Sequence, residues 1–387
     1  MGVGNASASP TSALLLHILQ DSSGRLATIL FAHRVGTALE PECKMYRLAA
    51  DVFNDIAMIL DCLSPLIPSG VCRVTILSTA GVLRALCGVA GGSSKASLSA
   101  HFSRWGNLAE KDSSQETIIS LVGMLVGSYV VSRITSFTAT WTALIILLTL
   151  HLSMNYIAVR SVQMTSLNRQ RANIVFSTLL DSDSDLDLGN LDKHRKEPLQ
   201  TDPATWIVLT PAEVSKRERI FERDGTLNWT PSPLQRQIVG ICRIGVSLPS
   251  FLTGATPSKG RSIRTTAQLS KLVKIFASES YMLSFSYRGA WQGRIILKPD
   301  CNVESQLKAW AHALLTARML SLSPLLDTKG EAIGLGMKVV LDAISQTLEF
   351  LNEDDRFGRY IVELRGKGWD LGIAALETKS GRRVTWK

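Results

Sequence analysis

The sequence predicts a mainly α protein in two parts: an apolar, multi-helix, membrane-embedded N-terminal domain and a smaller, soluble α+β C-terminal domain. Three observations carry this. Residues 134–159 contain no Asp, Glu, Lys or Arg, enough to cross a hydrocarbon layer of about 30 Å, for which roughly 20 helical residues suffice. Composition then changes abruptly at "DSDSDLDLGNLDKHRKEPLQTDP", which is charged, poor in aromatics and closed by proline, as exposed linkers are. Beyond it, strand-like and helix-like patterns alternate. The expected parts are residues 1–180, an acidic, polar linker at 181–204, and residues 205–387.

Along the chain, residues 12–37 carry apolar groups at helical spacing, interrupted by "QDSSGR". Glu40-Pro41 marks a break. A second helix is expected over 44–63, ending before Pro65 because proline disfavours helix in the residue ahead of it. Residues 68–90 form a third apolar stretch in which only Arg73 and Arg84 are charged, and glycines close it. Residues 117–132 form an uncharged run with Gly123 and Gly127 in G-x-x-x-G, a spacing that lets helices approach closely in lipid. Arg133 separates this run from 134–159, where Trp141 and Tyr156 stand near the ends as interfacial aromatics do. Arg160, Arg169 and Arg171 follow and would mark the cytoplasmic side. In the second half, residues 206–209 read as a strand. "TPAE" reads as a helix start, with Thr210 as cap, Pro211 first and Glu213 closing a capping box. "YMLSFSYRGAWQGRIILKP" reads as a hairpin turning around 289–293, and helices are expected over 303–320 and 336–352.

Composition narrows the classes. The 387 residues carry a net charge of +9 and 45% are apolar, and the mean hydropathy is slightly positive, which favours a membrane or a very large core. No zinc knuckle, aromatic RNA-binding block or long basic run is present, so nucleic acid is not the expected partner. Cys43, Cys62, Cys72, Cys87, Cys242 and Cys301 are scattered without C-x-x-C, as free thiols of a reducing, intracellular compartment are. No basic segment precedes an apolar core at the N-terminus, so no secretory signal is read there. Asp181, Asp183 and Asp185 alternate as in a calcium loop. Leu186 stands where the turn glycine belongs, however, and Asp192 where the bidentate Glu belongs. No metal site is expected.

Two constellations remain as candidate sites. Asp51, Asn54 and Asp55 share one helical face, which Met58 and Cys62 continue. Paired carboxylates there suit a cation or an amine, or a proton relay within a membrane. The alternative is an ion pair with Arg47 or with a basic residue of a neighbouring helix. The second constellation is "GVAGGSSKASLSAHFSRWGNLAEKDSSQET". It fails as a phosphate loop, because Ser94 and Ala96 flank Lys95, and it contains no G-x-S-x-G. Gly88, Gly91 and Gly92 are expected to end one helix and permit close packing, and Ser113 with Glu116 to cap the next. Lys95, His101, Arg104, Trp105 and Asn107 are left without a structural reason.

Those segments carry a resemblance. "ADVFNDIAMILDCLSPLIP", the glycine-rich stretch and "AVRSVQMTSLNRQRA", with "GVG" and "DSSGRLATILFAHRVGT" ahead of them, resemble the root UVB sensitive family. Its core is also called the vitamin B6 photo-protection and homoeostasis domain. "SKRERIF" and "QLKAWAHALL" are similar to its C-terminal region. The resemblance implies membrane association and, in plants, roles in ultraviolet-B response, seedling development, auxin transport and vitamin B6 homeostasis. It implies no defined reaction and no catalytic residue. Family members carry a proline-rich entry motif and a targeting or anchoring region ahead of "GVG", whereas this sequence begins at "MGVG".

The expected function is therefore a non-enzymatic protein of an intracellular membrane, with lipid, a small molecule, and itself or another family member as partners. The ligand-binding candidates are Asp51, Asn54, Asp55, Lys95, His101, Arg104 and Asn107, with no cofactor. One alternative is a small-molecule transporter with a polar path through Asp51, Asp55, Lys95 and Arg104. Another is a soluble helical adaptor. Pyridoxal phosphate as a ligand would need a phosphate cradle and a pyridine partner around Lys95, and the sequence shows neither.

Overall fold

The computed structural model describes residues 10–68, 70–102, 108–186, 206–253, 266–322, 333–377 and 382–385. The protein is mainly helical, with one small mixed sheet in the C-terminal part. Two compact units divide it, Met1–Val162 and Gln163–Lys387. The division falls ahead of the boundary expected at 180, and the C-terminal unit is the larger of the two.

The N-terminal unit contains α1 (Pro10–Val35), α2 (Cys43–Leu63), α3 (Val71–Phe102), α4 (Leu108–Arg133) and α5 (Phe137–Ser161). "QDSSGR" does not interrupt α1. Asp21 and Arg25 pair one turn apart at 2.9 Å, and Gly24 packs against Gly81 and Ala85 of α3. Arg73 closes the corner between α2 and α3 by donating to the Ile67 carbonyl. The glycines at 88, 91 and 92 do not end α3, which continues to Phe102. Helix α4 starts at Leu108, so Ser113 and Glu116 lie inside it rather than capping it. The good helix formers Leu108, Ala109, Glu110 and Lys111 carry the start further upstream. Arg133 ends α4, and Ser136 caps α5 by accepting the Ala139 N–H.

Helices α3 and α5 are long and apolar enough to cross a bilayer by length and composition, and little of either is buried within the protein. On α4, Ile118, Ile119, Leu121, Val122, Met124, Leu125 and Val126 are all exposed. Among the described residues nothing lies within 4 Å of a Cβ at Gly123 or Gly127, so none of them makes a close helix contact at the G-x-x-x-G.

The C-terminal unit is built on a sheet of order β1-β2-β4-β3, formed by β1 (Thr226–Ser232), β2 (Gln235–Ile244), β3 (Tyr281–Tyr287) and β4 (Trp291–Leu297). The β1–β2 and β3–β4 pairs are antiparallel, and β2 joins β4 in parallel. The β3–β4 hairpin matches the sequence expectation, with Gly289 at φ +67° in its turn and Gly293 inside β4. Helices α6 (Arg169–Ser182) and α10 (Val303–Leu322) pack on the sheet. Trp310 joins them by donating to Asn173, which in turn donates to the Thr226 carbonyl. The other helices are α7 (Pro211–Arg217), α8 (Leu248–Thr253), α9 (Thr266–Ile275), α11 (Ile333–Asn352) and α12 (Arg356–Gly366).

Two sequence expectations are corrected here. Residues 206–209 form no strand. Trp206, Val208 and Leu209 are buried as irregular chain, and the Trp206 ring packs edge-on to Tyr360. The capping box that follows is present as expected at Thr210 and Glu213. Arg169 and Arg171 are not markers of a membrane surface, because both are buried in α6. Arg171 pairs with Glu218 at 2.8 Å and also donates to the Ser166 carbonyl, the arrangement that a desolvated guanidinium needs.

Candidate functional site

The polar residues of the N-terminal unit converge on α2. Spacings of four place Arg47, Asp51 and Asp55 on one stripe, and α2 packs that region against α3 and α5. Gly91 of α3 lies against this stripe: a Cβ there would stand 3.5 Å from the Ala50 Cβ and 3.8 Å from an Arg47 guanidinium nitrogen, both ordinary contacts. Further along the same interface Arg84 of α3 pairs with Asp61 of α2. Buried Ser94 turns its hydroxyl back to the Ala90 carbonyl, 2.6 Å away.

Asp51 and Asp55 are each only 6% exposed. Asp51 Oδ1 lies 3.6 Å from Arg47, and its Oδ2 is buried without a hydrogen-bond partner. Asp55 Oδ1 lies 3.0 Å from Nδ1 of His151, which reaches in from α5. Cys87 of α3 is within electrostatic reach of both carboxylates and of Arg47. With His151 neutral, the four groups Arg47, Asp51, Asp55 and His151 sum to one negative charge, and protonating His151 cancels it. The cluster can therefore hold a cation or a protonated amine, or pass a proton between Asp55 and His151.

Of the residues singled out in the sequence, Asp51 and Asp55 come together here. Both the functional arrangement and the ion-pair alternative are visible: Asp51 has Arg47, Asp55 has His151, and one carboxylate oxygen is left over. Asn54 is half-buried on the same helix. Lys95 is half-buried on α3, one turn past Gly91. His101 lies about 15 Å further along that helix axis than Gly91 and packs edge-on to Phe102, so it does not join the pair. Arg104 and Asn107 lie outside the described residues. His151 was missed, although it is the one histidine in the otherwise charge-free run of 134–159. Among the described residues no group of three or more His, Cys, Asp or Glu is placed to hold a metal ion.

Comparison with known proteins locates this unit. The model of the vitamin B6 photo-protection and homoeostasis domain matches residues 1–183, which contain the whole cluster. RUS family member 1 of Dictyostelium discoideum is 42% identical over 182 residues, 45% of this chain and 34% of that protein. Protein root UVB sensitive 3 of Arabidopsis thaliana is 30% identical over 341 residues, 86% of this chain and 68% of that protein. Protein root UVB sensitive 5 of the same plant is 22% identical over 375 residues, 95% of this chain and 62% of that protein. The chain thus spans about a third of the first relative and about two thirds of the other two. No solved structure matches. With a 30% identical relative aligned along most of both chains, and the domain match over the helical unit, the chain belongs to the root UVB sensitive family.

Proposed function

We propose that the protein is a non-enzymatic component of an intracellular membrane that binds a small cationic or amine-bearing molecule between α2, α3 and α5. The names of its domain and relatives support a role for that binding in vitamin B6 homeostasis and the ultraviolet-B response. The observation that carries the reading is an inverted distribution of polarity. Large apolar side chains of α1, α4 and α5, among them Ile29, Leu125 and Ile146, face outward, while Asp51 and Asp55 are buried. Such a surface is costly in water and favourable in lipid, at about 25 cal/mol per Å² of apolar area.

Carbonate washing of membranes from expressing cells tests the first half of the proposal: the protein stays in the pellet, and release into the supernatant would point instead to a soluble adaptor. Asp55→Asn tests the second half, since it keeps the shape and removes a charge from the cluster. Pyridoxamine, an amine-bearing vitamer, binds the wild type at least tenfold more tightly than the variant; equal binding at equal protein level removes the site from the proposal.

One observation favours transport as a second reading. The Asp55–His151 pair joins a carboxylate of α2 to a histidine on α5, an apolar helix long enough to cross a bilayer, a donor–acceptor pair of the kind proton-linked carriers use. Pyridoxamine uptake into proteoliposomes that responds to an imposed proton gradient supports it, and its absence with folded protein rejects it.

A further inference from the structure

The sheet of the C-terminal unit holds a buried cation without a counter-charge. Alternation along β4 sends Trp291, Gly293 and Ile295 to one face and Gln292, Arg294 and Ile296 to the other. The first face includes Tyr281, which hydrogen-bonds His312 of α10. On the second, Arg294 stands opposite Ser284 of β3 and beside Arg243 of β2. Arg294 is 4% exposed. Nη1 donates to Ser286 Oγ at 3.1 Å and Nη2 to Gln292 Oε1 at 3.4 Å, so three of a guanidinium's five N–H groups remain.

The charges around it are cations. Burial first, and then Arg288 and Arg243, press the Arg294 pKa below the usual arginine range. Among the described residues neither Arg294 nor Arg243 has a carboxylate partner. The same unit pairs its other buried arginines, Arg169 with Asp224, Arg171 with Glu218, and Arg356 with Asp183 and Asp185, as desolvated charge requires. Arg294 is the exception. A second observation points to the same place: the Ser284 hydroxyl, 1% exposed, is buried without a hydrogen-bond partner.

We propose that this sheet face binds the phosphate group of a small phosphate monoester, with Arg294 and Ser284 at its floor and Arg243 and Arg288 beside it. The guanidiniums of Arg294 and Arg243, neither with a carboxylate partner among the described residues, match a dianion, and the planar fork of Arg294 suits two phosphate oxygens at once. The site is independent of the charged cluster between α2 and α5 and does not rest on a membrane location.

Calorimetric titration of the purified full chain in detergent with inorganic phosphate tests it, with chloride at matched ionic strength as the control. Wild type binds phosphate saturably. Arg294→Gln weakens binding about tenfold or more, the scale of a lost charge-assisted pair, and Ser284→Ala weakens it severalfold. Because Arg243 is exposed, Arg243→Gln keeps the fold and by itself decides the matter: it also weakens binding severalfold. Absence of saturable binding by wild type, or an Arg243→Gln curve superimposable on wild type, overturns the proposal. Glycerol 3-phosphate and dihexanoyl phosphatidic acid then identify the source. Equal affinity assigns a soluble monoester, and at least tenfold tighter binding of the lipid assigns a headgroup; either result supports the phosphate site.

Discussion

The two units use similar residues in opposite places. In the N-terminal unit α4 exposes its apolar side chains, and the buried polar groups gather on α2. In the C-terminal unit α10 buries Leu307, Trp310, Leu314 and Leu315. There α6 is buried around its whole circumference despite Arg169, Gln170, Arg171 and Asn173. Composition alone would class α6 as a surface helix. What separates the units is how far the large apolar side chains are covered by other side chains. Two histidines show the contrast: His151 meets a carboxylate on a partly exposed helix, whereas His312 is sealed among a phenol, a threonine and a carbonyl.

The largest effect expected lies in the C-terminal unit, at Asp183. Its carboxylate accepts from Arg356 at 2.9 Å and from the Tyr360 hydroxyl, both side chains being buried. Asp183→Ala leaves that guanidinium only Asp185 and Glu353 and takes the acceptor from the Tyr360 hydroxyl, so it costs about 3 kcal/mol, the lower end for removal of one partner from a buried pair. Tryptophan fluorescence reads this directly, because six of the eight tryptophans (206, 229, 291, 310, 369 and 386) belong to this unit. An unchanged denaturation midpoint would mean that residues 181–186 are the solvated linker that their composition suggests.

That residue also shows where sequence reading stops. Asp183 lies in an acidic run, and its partner is on α12, far along the chain; no local pattern reveals the pair. The capping box at Thr210, the β3–β4 hairpin and helices α2, α10 and α11 were legible because their signals are local. The β1–β2 hairpin was not, since Pro233 and Leu234 form its turn in place of an Asn-Gly, and Pro231 lies within the strand. Glycines at 88–92 suggested a helix end, yet α3 runs through them to Phe102, with Gly91 lying against Ala50 of α2. At the candidate site the Asp51–Asp55 spacing was readable, and the Asp55–His151 pairing, between residues 96 positions apart, was not.

A pair of lysine substitutions tests the inverted exterior directly. Leu125 on α4 and Ile238 on β2 are equally exposed, at 65% each. In water either change to Lys falls within about 0.5 kcal/mol of neutral. In lipid, Leu125→Lys costs about 2.5–3 kcal/mol if the position lies near the bilayer centre. The share of protein retained in carbonate-washed membranes therefore falls for Leu125→Lys and holds for Ile238→Lys. The same result for both would remove the distinction between the units.

The smallest effect is a dependence on acid that belongs to His312. Its Nε2 lies 3.0 Å from the Ile344 carbonyl, which only accepts, so Nε2 carries the proton. Nδ1 then accepts from the Tyr281 hydroxyl at 3.0 Å, a phenol that burial keeps protonated. Charging the ring would place a second N–H against that donor in a dry core, and burial accordingly presses the imidazole pKa from 6.5 down to about 3. Between those values the unfolded chain binds a proton that the folded chain refuses, so stability falls as pH falls. The contribution is complete above pH 6.5 and is lost progressively toward pH 3, at about 1.4 kcal/mol per unit. Denaturation midpoints at pH 7.5 and 5.5 should differ accordingly in tryptophan fluorescence. His312→Gln, whose amide can donate to the carbonyl and accept from the phenol, flattens the difference. His151→Gln leaves it intact, because the ring beside Asp55 belongs to the other unit; a flattened slope in that variant instead would assign the acid sensitivity to the charged cluster on α2.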